Sequence, residues 1–223
     1  MSLKFGFGGR RAAIAALAFL LPAAGPALAS PALVDFQTAG YQNSNSSQQR
    51  TLGWIFTALD DIAVTHLGVW DLGTDGLVAS HQVGIWNSLG TLLGTTTVQA
   101  GTASAVFGAP AAGGSFRYEA VAPIVLSAGA TYTIGALFDM DDVFEFNAAH
   151  VDTGSAIAFG EERYGDEGAG FVFPTDTFER WGLFGPNFRY AVLDTPATAA
   201  LFFVGLAGVA GGLRKRQRAD AAV

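Results

Sequence analysis

The chain has 223 residues, half of them apolar, only 14% charged, with 29 glycines and no cysteine. That length allows one domain with appendages. The missing cysteines exclude disulfides, thiolate metal sites and a cysteine nucleophile. Charge is segregated: residues 30–194 carry five arginines, no lysine and 18 acids, a net of −13, while the other basic residues cluster at the two ends. Such an acidic stretch repels phosphate backbones, which argues against nucleic acid as a partner.

Residues 1–29 read as a secretory signal peptide. A basic start (Lys4, Arg10, Arg11) leads into the apolar run Ala12–Leu21, then Pro22 and the small-residue site Ala27-Leu28-Ala29, with cleavage expected after Ala29. Ala32–Phe36 predicts a short strand. The polar run Tyr41–Arg50 (YQNSNSSQQR) predicts a surface loop.

From Leu52 a period of two takes over. Trp54, Phe56 and Ala58 share a face, as do Thr65, Leu67 and Val69 with His66 and Trp70 opposite. DLGTDG (Asp71–Gly76) reads as a turn and Asn87–Gly90 as a hairpin connection. Residues 100–115, rich in Ala and Gly, read as a loop. Phe116, Tyr118 and Ala120 alternate with Arg117 and Glu119. Tyr132, Ile134, Ala136 and Phe138 line one face after the turn Ser127-Ala128-Gly129. Residues 148–187 predict long loops with one short strand, and Asn187–Leu193 a closing strand. Short strands at this spacing predict an all-β domain over 30–194, an antiparallel β-sandwich of jelly-roll-like type.

Residues 195–223 form a distinct tail. Ala197–Leu213 is 17 residues without a charge, about 26 Å of helix, and Arg214, Lys215, Arg216 and Arg218 follow. This predicts a transmembrane helix whose basic end stays inside, leaving 30–194 exported and tethered on the periplasmic side.

The tail resembles a PEP-CTERM sorting signal: a Pro-containing motif, a Gly-rich apolar helix and a terminal arginine cluster. Pro196, Ala197 and Thr198 match the motif, whereas Asp194 stands where a first proline is usual. The segments Leu52–Ala58, Asp71–Leu93, Leu126–Ala136 and Gly185–Tyr190 are similar to the small β-sandwich of unassigned function that often precedes such tails. The resemblance implies a sorting protease of exosortase type as a partner, an exopolysaccharide-associated export system and a final place at the cell surface or outside the cell. It implies no catalytic residue.

Three chemical readings follow from the domain itself. Asp71 and Asp75 in DLGTDG sit at calcium-loop positions 1 and 5 with Gly76 at 6, but Gly73 and Gln82 stand where an EF-hand needs ligands. That leaves a looser structural calcium site, with Asp139, Asp141, Asp142 or Glu145 as helpers, or a turn with solvated acids. Trp86, opposite Val83 and Ile85 in the alternation, is the tryptophan expected to face outward and stack on a glycan; for Trp54, Trp70 and Trp181 core packing is favoured over a sugar-stacking platform. Ser80 and His81, adjacent on a strand, point to opposite faces and make poor catalytic partners. The residues therefore favour a structural or interaction protein of the cell surface or matrix that is not an enzyme, with a carbohydrate-binding module as the alternative.

Overall fold

The computed structural model describes residues 29–37, 42–44, 49–108, 112–138, 142–145, 148–177, 182 and 184–193. The expected signal helix, the transmembrane helix and the residues Ala27, Pro196, Ala197, Thr198, Arg214, Lys215, Arg216 and Arg218 lie outside them. Every regular element among the described residues is a strand. In chain order these are β1 (Ser30–Pro31), β2 (Leu33–Gln37), β3 (Gln42–Ser44), β4 (Arg50–Ala58), β5 (Ile62–Leu72), β6 (His81–Asn87) and β7 (Leu92–Val98). Then come β8 (Ala105–Val106), β9 (Gly114–Leu126), β10 (Thr131–Phe138), β11 (Val143–Glu145), β12 (His150–Thr153), β13 (Ile157–Tyr164) and β14 (Pro186–Val192).

Two five-stranded antiparallel sheets result, ordered β1-β14-β5-β9-β8 and β13-β4-β10-β6-β7, with small pairs β3–β11 and β2–β12 beside them. The sheets meet through aromatic rings. Phe188 of β14 stands 4.7 Å from Phe56 and stacks on Trp54 at 6.0 Å, both on β4. Trp54 is fully buried, and its indole N–H satisfies itself on the carbonyl of Pro186 at 2.9 Å. Tyr132, Ile134, Ala136 and Phe138 are buried together, as their alternation predicts. The fold is therefore an all-β antiparallel sandwich.

Sheet one is covered on its other side too. Phe36 of β2 packs edge-on against Trp70 at 5.3 Å, and the Asn187 side chain grips the backbone N–H and C=O of Leu33. This explains why both Val69 and Trp70, on opposite faces of β5, are inaccessible. A bulge between Val64 and His66 takes Thr65 out of the alternation, so Val64 rather than Thr65 joins Leu67 and Val69 inside.

Three expectations change. Part of the polar run 41–50 is not loop: Gln42–Ser44 pairs with Val143–Glu145. The Ala/Gly-rich segment 100–115 contributes β8 and the start of β9. Within 148–187 the chain forms the eight-residue β13, whose alternation is broken in sequence by a bulge between Phe159 and Glu162.

Candidate functional site

The chemistry concentrates at one end of the sandwich, where the connections 73–80 and 99–104 and the short strand β11 meet. Asp71 is the penultimate residue of β5, and Arg117 lies two residues along β9 from its register partner Ser115. The Arg117 Nε donates to the Asp71 carboxylate at 2.6 Å, with both side chains almost wholly buried. The guanidinium also donates to the carbonyls of Thr102 and Thr74, each at 3.2 Å. The Gly76 N–H donates to the same carboxylate at 3.0 Å. One buried cation thus ties two connections to the sheet, and its bond to the Thr74 carbonyl helps to hold a turn in which Thr74 takes the left-handed conformation (φ 64°), a costly one for a β-branched residue.

A second buried pair stands next to it. Asp142 accepts hydrogen bonds from the Val78 and Ala79 amides at 2.9 and 2.8 Å. His81 Nε2 lies 2.8 Å from the Asp142 carboxylate, and its Nδ1 lies 2.8 Å from the Leu137 carbonyl. A carbonyl can only accept, so Nδ1 donates to Leu137 and Nε2 is the atom that faces the Asp142 carboxylate. Burial pushes the Asp142 carboxyl up, but the hydrogen bonds from His81, Val78 and Ala79 outweigh it and hold the group below its ordinary value.

A cavity of about 160 Å³ opens between these pairs, lined by Trp70, Asp71, Asp75, Gly76, Val78 and Asp142. The structure thus brings the expected calcium residues Asp71 and Asp75 to one cavity with Asp142, one of the expected helpers. Of the other expected helpers, Asp139 and Asp141 lie outside the described residues. The Asp71 charge is answered by Arg117, and Asp142 is engaged by two amides and His81; Asp75 is exposed. Among the described residues no group of three or more His, Cys, Asp or Glu side chains is arranged to hold a metal ion.

The expected glycan-stacking residue behaves differently again. Trp86 does point away from the sandwich interior, yet it is only 4% exposed. The cause is a floor of glycines with a strap laid over it. Gly135 on β10 is in register with Gly53 on β4 and Gly84 on β6, so three neighbouring strands lack side chains in one row. Residues 165–177 cross this trench. A Cβ built on Gly84 would lie 2.9 Å from Phe171, and one on Gly135 would lie 3.2 Å from Trp86 and 3.5 Å from Pro174. The rings of Phe171 and Phe173 stand 4.9 and 6.2 Å from Trp86. Thr51 anchors the strap: its hydroxyl donates to the Gly170 carbonyl at 2.9 Å and accepts from the Val172 N–H at 3.0 Å. Arg50 adds an ion pair with Glu167 at 2.8 Å.

Ser80 and several other polar side chains find separate partners. Ser80 accepts from the Ala100 amide, away from the His81–Asp142 bond. Glu161 pairs with Arg163, and Glu162 is buried with Thr177 donating to it. His66, Phe107 and Arg189 form a surface cluster, with the Arg189 guanidinium 4.6 Å above the Phe107 ring and donating to the Ala29 carbonyl. Burial, then the charge of Arg189, lowers the His66 pKa.

An antiparallel β-sandwich with two buried polar pairs, Asp71–Arg117 and Asp142–His81, at one end is what these features define. Comparison of the chain with family models, with curated proteins and with solved structures gives no match.

Proposed function

We infer that this chain is an exported structural or interaction protein of the cell surface or extracellular matrix, without an enzymatic role. The observation that carries this reading is the burial of Trp54, Trp70 and Trp86. A protein that works by stacking on sugars needs at least one flat aromatic face open to solvent, and here each of these rings is spent on packing. The glycan-binding alternative would need the strap 165–177 to leave Trp86. The strand order supports the finer reading of the domain as a jelly roll. Taking β1, β14, β5 and β9 against β4, β10, β6 and β7, the chain passes between the sheets as two Greek keys do, with β8 and β13 added at the edges.

The export half of the proposal rests on sequence. The basic-apolar-small start, the uncharged run 197–213 and the arginines after it are those of a chain whose middle is translocated and whose tail is retained or cut by an exosortase-type protease. The test is the intact mass of the protein recovered from its own cells, fraction by fraction. Loss of residues 1–29 supports export, and loss of the chain from about Pro196 supports sorting. A mass that keeps residues 1–29 refutes the export reading. A mass that keeps 196–223 in the inner-membrane fraction replaces sorting with a permanent anchor.

A further inference from the structure

Each sheet has two outer strands, and three of the four are blunted. β1 and β8 are two residues long. β13 is bulged and carries Glu161, Glu162 and Arg163. The part of β9 beyond β8 carries Glu119 and Pro123, a charge and a residue without an amide donor. β7 has a bulge only at its start, at Leu93, and among the described residues it carries no charge and no proline. It is seven residues long, LLGTTTV, and forms the end of its sheet with β6 as its hydrogen-bonded neighbour. Leu92 and Leu93 are exposed on it, and Leu89 in the adjoining turn is 88% exposed. The strand is also held in place. A Cβ built on Gly94 would meet Ile124 at 2.5 Å, so the inner side of β7 is seated on β9.

Charge says what pairs with this edge. Residues 76–116 are 41 consecutive positions without Asp, Glu, Lys or Arg, in a domain that otherwise carries a net −13. Two copies of such a domain repel each other over most of their surfaces, and β7 lies inside the one long neutral stretch. A free edge presents backbone N–H and C=O groups that another strand satisfies directly. Antiparallel pairing about a two-fold axis sets a strand against itself. The regular part of β7 runs from Gly94 to Val98, because Leu93 is the bulged residue opposite Ile85 and Trp86. Its midpoint is Thr96, and an axis there sets Thr95 of one copy against Thr97 of the other, threonine facing threonine on the outer surface.

We propose that two copies of this chain join edge to edge through β7, with the two-fold axis at Thr96, to give one sheet of ten strands across the pair. The proposal is independent of export and sorting. The test is sedimentation of the full chain in detergent, with circular dichroism to verify the fold. The wild type is expected at twice the 23.1 kDa chain mass. The double variant Thr95→Lys/Thr97→Lys puts lysine against lysine and is expected at the single-chain mass with an unchanged spectrum. Thr95→Lys/Thr97→Glu puts lysine against glutamate in the same register and is expected to stay double. A monomeric wild type overturns the proposal and leaves the edge to a different extended segment. A double mass that survives the two lysines overturns it as well, since the contact then lies elsewhere, the apolar tail included. Loss of the pair in the Lys/Glu variant overturns the Thr96-centred register.

Discussion

Replacing Arg117 with methionine should be among the most damaging single changes in the domain. Methionine matches the length of the arginine stem but leaves the Asp71 carboxylate, itself about 2% exposed, with the Gly76 amide as its remaining hydrogen-bond donor. Breaking a buried ion pair from one side costs about 3–5 kcal/mol, because the charge left behind is neither hydrated nor paired. The carbonyls of Thr74 and Thr102 lose their donor at the same time. For a chain of this size each kcal/mol moves the melting temperature by about 2–4 °C, so a fall of about 6–20 °C is expected. Thermal and urea melts followed by circular dichroism measure it. Adding Asp71→Asn to Arg117→Met removes the stranded charge and should recover at least about 2 kcal/mol. A cost for Arg117→Met below about 1 kcal/mol, the range of exposed pairs, would refute the reasoning. So would strict additivity of the two substitutions. The same geometry predicts that millimolar calcium leaves the wild-type melting temperature unchanged, since Arg117 already compensates Asp71; a rise that Asp75→Asn abolishes would restore the cation site.

Trp86→Ala should cost about 3–5 kcal/mol and speed proteolytic cutting between residues 165 and 177, because Phe171 and Phe173 lose the ring they rest on; an unchanged digestion pattern would show that the strap is held without it. Gly53→Ala places a methyl 1.9 Å from the Ile134 carbonyl oxygen, so its cost should reach or exceed about 3 kcal/mol, the top of the usual overpacking range. Gly101→Ala, with open space but φ at +77°, should cost only about 1–2 kcal/mol in the same urea melts. For Asp142 the folded pKa lies below the unfolded one, so its contribution is complete above the ordinary carboxylate range and is lost as pH falls through the folded value. The stability difference between wild type and Asp142→Asn should therefore shrink as pH is lowered from about 5 to about 3; a difference that grows toward acid would reverse the sign argued here.

Much of the architecture was legible because a strand with one buried face writes a period of two into the chain. Tyr132, Ile134, Ala136 and Phe138 are buried as a set for that reason, and Phe188 and Tyr190 close the sandwich where their alternation puts them. The pattern fails where the backbone leaves the regular pleat. A bulge shifts β5 at Thr65, and another breaks β13 between Phe159 and Glu162, so alternation puts Thr65 on the wrong face and predicts one short strand where 148–187 holds both β12 and the eight-residue β13. The fate of Arg117 was hidden for another reason. Alternation with Phe116 and Tyr118 separates the two sides of β9, but both sides are buried here, and nothing local tells an arginine facing water from one facing an aspartate 46 residues away.

Trp86 shows the same limit with a signal that was present in the chain. Its direction was read correctly from Val83 and Ile85, and the error lay in equating an outward direction with exposure. What covers it is a segment about 85 residues further on, whose contacts no local periodicity reports. Yet Gly53, Gly84 and Gly135 each interrupt the middle of a strand, where glycine is costly unless something comes close to the backbone. Any one of them is weak as a signal. Placed in register, they form a row across three strands, and a row of missing side chains on an outer face must be filled by water or by chain. Gly-Phe-Val-Phe-Pro at 170–174, apolar within a polar loop, is the stretch with the composition to fill it. Mid-strand glycines on adjacent strands, taken together with an apolar knot in a later loop, therefore predict a covered face where alternation alone predicts an open one.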